Sequence, residues 1–308
     1  MSALEEKLAG YLELRRALGW KLKRPAQMLT QFVAYVDERG EATVTIELAV
    51  AWATMPAGAE PSYWAHRLSS VRGFARYLHT IDPVNEVPPR DLLPYRSRRL
   101  APYLYSDDEI AALMAAASRL RNVKLALTYR TIIGLLAATG TRVGEVLRLN
   151  LDDLHWEHRL LLIRDSKFGK SRLVPLESST FAALGQYVRQ RKLRYPVKGT
   201  PAVFLNSHGT RICHCNLSGT FHQLTKDVGL EPRSRLCRPR IHDMRHSFAI
   251  RTMLDWYRAG VDVQARLPLL STYLGHVNPA TTYWYLSAAP ELLALAGERL
   301  EQHLEEDH

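Results

Sequence analysis

Between Asp82 and Ser106 the chain reads DPVNEVPPRDLLPYRSRRLAPYLYS, with five prolines in one stretch. Proline fixes φ and lacks the amide hydrogen that helices and sheet ladders require, so no regular element is expected to run through these residues. Arg90, Arg96, Arg98 and Arg99 make the same stretch basic, which fits an extended linker. The chain is therefore expected to divide into a domain over residues 1–81, a linker over 82–103 and a second domain over 104–308. A length of 308 residues also suits two hydrophobic cores better than one.

Ahead of the linker the pattern is helical. Leu4, Leu8, Tyr11, Leu12 and Leu18 recur at helical spacing, as do Met28, Leu29, Phe32, Val33 and Val36 after Pro25. A short helix is predicted from Thr45 to Trp52, stopped by MPAGAEP. A fourth runs from about Ser62 through Trp64, Leu68, Val71, Phe74 and Leu78. Its other face presents Arg67, Arg72 and Arg76, either as a solvated surface or as one laid against phosphates.

The second domain opens with SDDE at Ser106 to Glu109, a capping box with acids at the positive end of a helix. Helical periodicity then continues to about Thr139. The run LHWEHRLLLIRDSKFGKSRLVPL changes period. Leu160 to Ile163 and Arg172 to Leu176 are short β-compatible runs around a glycine-containing turn, which predicts a small antiparallel sheet. Helix returns after Phe204. The fold class is thus mostly α with a small antiparallel β-sheet in the C-terminal domain.

Composition narrows the partners. A net charge of +10 and an isoelectric point near 9.6 point to a polyanion. Three cysteines, an odd number, argue against a disulfide framework and for a cytoplasmic protein. No apolar run approaches the roughly 20 residues of a membrane span, and MSALEEKLAG lacks a signal peptide's basic start, so no membrane partner is expected. There is no P-loop and no carboxylate cluster suited to Mg²⁺, so neither cofactor nor metal is expected. The CHC run at Cys213 to Cys215, with Cys237 further on, matches no common zinc spacing.

Several residues carry chemistry. AATGTRVGEVLRL ends one helix at Gly140 and starts another at once, which puts Arg142 at the junction. An arginine there opposes the helix dipole unless a bound anion draws it in. In RIHDMRHSFAIRTML, His242 and Arg245 are three apart and share a helical face, with His246 one step round as a core or supporting histidine. Lys167 and Lys170 fall in the turn between the two predicted strands, as solvated tips or as contacts to a DNA groove. LGHVNPATTYWYLS holds His276, Tyr283 and Tyr285.

Taken in order, ATGTRVGEV, KFGKSRLVPL, HDMRHSFA, LGH and TTYWY resemble the tyrosine recombinase (phage integrase) family, especially its Xer-like bacterial members. The resemblance spans roughly residues 104 to 290. It implies catalytic roles for Arg142, Lys167, His242, Arg245, His276 and Tyr285. Tyr285 lies nine residues past His276, the family's spacing for its nucleophile; Tyr283 falls two short and Tyr273 precedes the motif. Glu145, three residues after Arg142, matches an acidic residue that braces the family's site. Thr141, Gly144, Trp284 and Leu286 depart from the usual flanking residues, but none removes a reacting group.

The resemblance also implies a reaction. A tyrosine attacks a phosphodiester and forms a 3′-phosphotyrosyl bond, which stores the energy for rejoining without ATP or metal. Two guanidiniums suit the charge that builds on the non-bridging oxygens, because each is planar, permanently charged and bidentate. A tyrosine of pKa about 10 is only about one part in a thousand ionised at neutral pH, so His242 is expected to manage its proton. His276 is expected to donate to the phosphate, and Lys167 to protonate the leaving 5′-oxygen. The implied partners are a double-stranded DNA recombination site and further copies of the chain, a dimer per site and a homo-tetramer on two sites, exchanging strands through a Holliday junction. The two domains would clamp DNA at the nucleoid, the first being a core-binding domain with no arm-binding domain ahead of it.

The segment PELLALAGERLEQHLEED places Leu292, Ala296, Leu300 and Leu304 on one helical face, with six acidic residues against Arg299. That composition suits docking onto protein, either a neighbouring protomer or the chain's own domain. A type IB topoisomerase-like enzyme and a DNA-binding accessory protein without catalysis are the rival readings. The intact set of reacting groups opposes the second, and the N-terminal domain and acidic tail oppose the first.

Overall fold

A computed structural model describes residues 2–94, 101–164, 170–195, 199–276, 278, 282–285 and 297. The chain forms two units, Met1–Arg99 and Leu100–His308. The first is built from α1 (Ala3–Ala17), α2 (Lys23–Asp37), α3 (Ile46–Thr54) and α4 (Pro61–Ile81). The predicted stripes meet inside it: Leu4, Leu8, Tyr11 and Leu12 of α1 pack with Leu29, Phe32, Val33 and Val36 of α2, and with Leu68, Val71, Phe74 and Leu78 of α4. Each fully buried side chain of this size contributes about 1.5–3 kcal/mol over its exposed state. Leu18 leaves the stripe, because the helix has ended and Leu18 serves as an exposed C-cap.

Two of the three α4 arginines serve neither of the expected purposes. Arg67 is buried, lies 3.6 Å over the Trp52 ring and donates to the Trp52 carbonyl at 2.8 Å. Arg72 donates to the carbonyls of Pro88 and Pro89, both at 2.8 Å. Arg76 is exposed. The proline-rich stretch after α4 is irregular, yet its first residues are fastened to this unit rather than extended. Asn85 is buried, its Oδ1 accepting from the Val44 amide at 3.0 Å, while the Glu86 amide donates to the Val44 carbonyl at 2.8 Å. Proline forbids the ladder here, but side chains from α4 and the backbone of the α2–α3 loop satisfy these residues instead.

The second unit contains α5 (Asp107–Ser118), α6 (Val123–Thr139), α7 (Val143–Arg148), β1 (Leu154–His155), β2 (Leu160–Ile163), β3 (Arg172–Pro175), α8 (Ser178–Arg194), α9 (His214–Asp227), α10 (Asp243–Arg258) and α11 (Val263–Leu274). Helix α5 begins with the expected capping box, Ser106 and Glu109 each accepting from the other's amide. Helix α6 packs against α5, α8 and α10, and Ile132, Ile133, Leu135 and Leu136 are all buried. A helix apolar around most of its circumference is a central one. The antiparallel sheet has order β1-β2-β3, with Leu161 opposite Val174 and Ile163 opposite Arg172. Helix α8 lies where no element is predicted; its basic face hides a sparse core stripe of Leu184, Tyr187 and Val188.

Candidate active site

Helix α6 stops at Gly140, whose φ of +58° is left-handed. A Cβ there would fall 2.4 Å from Cδ1 of Phe248 on α10, so only glycine lets the chain turn this close to α10. The turn puts Arg142 at the N-cap of α7, where its backbone amide donates to Oε2 of Glu145 at 3.0 Å. Its Nη1 donates to Oε1 of the same carboxylate at 2.8 Å, and Nη2 to the Gly275 carbonyl at 2.8 Å. Arg245, one turn into α10, is buried and donates to the carbonyls of Gly140 at 2.9 Å and Leu274 at 2.6 Å.

A third guanidinium joins them. Arg172, the first residue of β3, grips Glu145 with both terminal nitrogens, at 3.1 and 2.8 Å, and donates from Nε to the Tyr273 carbonyl at 2.7 Å. The carbonyls of Tyr273, Leu274 and Gly275 are consecutive, and each takes one arginine. They lie at the C-terminal end of α11, where a helix leaves its last carbonyls unpartnered and carries partial negative charge. The LGH motif thus works as a frame: α11 ends, Gly275 turns left-handed, and three arginines converge on the exposed carbonyls. Among the described residues, three guanidiniums (Arg142, Arg172, Arg245) meet one carboxylate (Glu145), leaving two positive charges over.

Tyr285 sits against this charge. It is buried, with its ring centroid 5.3 Å from that of His246 and 6.0 Å from that of His276. Burial pushes its hydroxyl above the usual tyrosine range, while the Arg245 guanidinium draws it back through its charge and a hydrogen bond, and Arg142 adds to that pull. The rival tyrosines are elsewhere: Tyr283 is half exposed, and Tyr273 stacks on Phe248 at 5.6 Å. His276 Nδ1 lies 2.8 Å from the buried Thr282 hydroxyl. His242 is the N-cap of α10, with its ring 5.5 Å from that of His246.

All three histidines are held in the neutral form. Burial lowers His276 to about 3, helped by Arg245 and Arg142, and lowers His246 to about 3, helped by His242 and Arg245. His242 is lowered by burial and then by Arg245. Arg245 falls to about 10, through burial and the charge of Arg142, and stays cationic at neutral pH. Glu145 is ionised despite burial, because Arg172 and Arg142 bring it down to about 2.

Five of the six sequence-predicted residues, Arg142, His242, Arg245, His276 and Tyr285, therefore converge on one site. Lys167, like Leu292, Ala296, Leu300 and Leu304, lies outside the described residues. Arg172 carries no predicted role, although it stands in KFGKSRLVPL; a charged residue beginning a strand next to a predicted turn was the available signal. Among the described residues no three His, Cys, Asp or Glu side chains are grouped to hold a metal, and no helix is long and apolar enough to cross a membrane. Cys213 instead caps α9, its sulfur accepting from the Asn216 amide.

A mostly helical domain with a small antiparallel sheet, holding a tyrosine beside anchored arginines, defines a class of protein built for phosphoryl chemistry with a phenol. Comparison makes the assignment specific. The phage integrase family model matches residues 104–291, and the chain belongs to that family. A Sinorhizobium fredii protein provisionally named integrase/recombinase y4rB is 42% identical over 312 residues, covering 99% of each chain. Tyrosine recombinase XerD of Mycobacterium tuberculosis is 32% identical over 230 residues, covering 72% of this chain and 68% of that one. The Tn1549 transposon integrase, solved with transposon right end DNA, shares the fold with a TM-score of 0.66 at 17% identity, over 96% of this chain and 98% of that one. The protein is a tyrosine-type site-specific recombinase, an enzyme that cleaves and rejoins DNA strands.

Proposed function

We propose that Tyr285 is the nucleophile and that Arg142 and Arg245 form the phosphate clamp. The observation that carries this is the burial of Tyr285 among His246, His276 and the charge of Arg245, which is itself fixed on the carbonyls of Gly140 and Leu274. A scissile phosphate entering between the arginines takes up the two uncompensated positive charges. The Tyr285 oxygen attacks phosphorus in line and the bond to the 5′-oxygen breaks, giving a 3′-phosphotyrosyl bond. The phenolic proton passes to His242, which is held neutral and so able to accept it. Lys167 supplies a proton to the leaving 5′-oxygen. His276, whose Nδ1 is engaged by Thr282, presents Nε2 to a non-bridging oxygen. A 5′-hydroxyl from the partner strand then reverses the step, so no ATP is consumed.

The assembly we propose is a dimer on each double-stranded recombination site and a tetramer on two, resolved through a Holliday junction. Each protomer would clamp DNA between its two units, with residues from Pro290 onward docking on the neighbour. The apolar stripe of Leu292, Ala296, Leu300 and Leu304, and the acidic charge around it, support a protein rather than a DNA contact for that segment. Such an enzyme would work at the nucleoid.

The test is covalent trapping on a nicked duplex drawn from the DNA flanking the gene, followed by peptide mapping of the adduct. The expected adduct lies on Tyr285, is lost in Tyr285→Phe and persists in Tyr283→Phe, while band shifts show both variants still bound. An adduct of normal yield in Tyr285→Phe would move the nucleophile elsewhere.

A further inference from the structure

We infer that Arg172 is a positioning residue: it holds Glu145 and the end of α11 in register, so that Arg142 and Arg245 face the phosphate together. This deepens the reading above and rests on it. Glu145 is almost fully buried, and a buried carboxylate needs more than one partner to remain ionised. Arg142 contributes a single side-chain bond to it, whereas Arg172 contributes a bidentate pair. Arg172 is itself nearly buried, and three of its donors are committed, two to Glu145 and one to the Tyr273 carbonyl. It is built to brace rather than to bind substrate.

The placement gives the brace a second consequence. Arg172 is paired with Ile163 at the first rung of the β2–β3 ladder, and Lys167 lies five residues before it in sequence, in the connection between those strands. Arg172 thus ties the first residue of β3, the strand that follows that connection in sequence, to the carboxylate and helix end that hold the proposed clamp. One residue links β3 to Glu145 of α7 and to the end of α11, the groups on which Arg142 and Arg245 are themselves held. Lysine cannot replace it, since one ammonium cannot grip both carboxylate oxygens and still reach the Tyr273 carbonyl in this geometry.

The groups facing Glu145 are Arg142 from its own helix, Arg172 from β3 and Arg245 from α10. Removing the Arg172 charge leaves burial opposed by weaker attractions, so the Glu145 carboxyl should protonate at higher pH. Once neutral, it releases its charge-assisted hold on Arg142.

The experiment measures single-turnover cleavage of the nicked duplex across pH for the wild type, Arg172→Gln, Arg172→Lys and the double variant Arg172→Gln with Glu145→Gln. Half-site band shifts and thermal melts accompany each. Arg172→Gln should cleave about 100-fold more slowly, the scale of a misplaced catalytic group, with half-site binding little changed. Its rate should fall further toward acid, along a limb absent from the wild type and absent again in the double variant. Arg172→Lys should be slow but follow the wild-type pH profile, because it keeps the charge. An Arg172→Gln profile parallel to wild type, or a rate close to it, overturns the inference. If Arg172→Gln does not fold, Arg172→Lys decides: wild-type cleavage there overturns it equally. Failure of the nucleophile assignment is seen separately, as a wild-type adduct that maps away from Tyr285.

Discussion

Replacing Gly275 with alanine separates the arginine frame from ordinary helix capping. Gly275 ends α11 at φ +69°, and a residue with a Cβ pays about 1–2 kcal/mol to adopt that conformation. A Cβ would also lie 2.9 Å from Nη1 of Arg172, 3.1 Å from Cζ and 3.3 Å from Nε. This guanidinium cannot swing aside freely, because it is tied to Glu145 and to the Tyr273 carbonyl. Displacing it forfeits at least one charge-assisted hydrogen bond, about 1.5–3 kcal/mol, for a total near 2.5–5 kcal/mol. Gly229 supplies the control: its φ is also +69°, and a Cβ there meets no atom within 4 Å. At about 2–4 °C per kcal/mol for a unit of this size, Gly229→Ala should lower the melting temperature by roughly 2–8 °C and Gly275→Ala by roughly 5–20 °C. Cleavage of the nicked duplex should fall by about 10- to 100-fold in Gly275→Ala and stay at wild-type level in Gly229→Ala. Two variants that match each other in both melt and cleavage would refute the frame.

Other perturbations test the remaining parts. Arg142→Lys and Arg245→Lys keep the charge but lose the fork geometry, so single-turnover cleavage should drop by about 10²- to 10³-fold, and a drop below about threefold would reduce that arginine to a positioning contact. His276 should remain neutral in the DNA-free protein down to about 3; because its folded value lies below the ordinary 6.5, the fold loses stability as pH falls from 6.5 toward 3 and the unfolded chain takes up the proton, and an imidazole NMR titration centred near 6.5 would contradict this. Asn85→Ala leaves the Val44 amide without its acceptor, at a cost of about 1–3 kcal/mol, and hydrogen exchange at that amide should accelerate accordingly. Deleting residues from Pro290 onward should leave half-site binding intact and weaken cooperative filling of the full site in band-shift titrations, whereas equal loss on both would indicate docking within one chain.

Much of this protein was legible from local sequence, because local pattern reports local physics. The stripe of Met28, Leu29, Phe32, Val33 and Val36 had to face a core, and SDDE had to start a helix. Gly140, two residues before Arg142, had to break one helix so that another could begin. The motif order and the nine-residue step from His276 to Tyr285 marked out candidate reacting groups. What the sequence could not decide was which charges face outward. Arg67, Arg72 and Arg172 look alike in one dimension, yet the first stacks on Trp52, the second holds Pro88 and Pro89, and the third grips Glu145. Spacing pointed to Tyr285 over Tyr283 and Tyr273, but only the fold places Tyr285 buried beside Arg245, with Tyr283 exposed and Tyr273 stacked on Phe248. Helical and strand periods follow from neighbours along the chain. The partner of a buried charge is set only when distant segments close on it, as Gly140, Arg172, Arg245 and the last carbonyls of α11 do here.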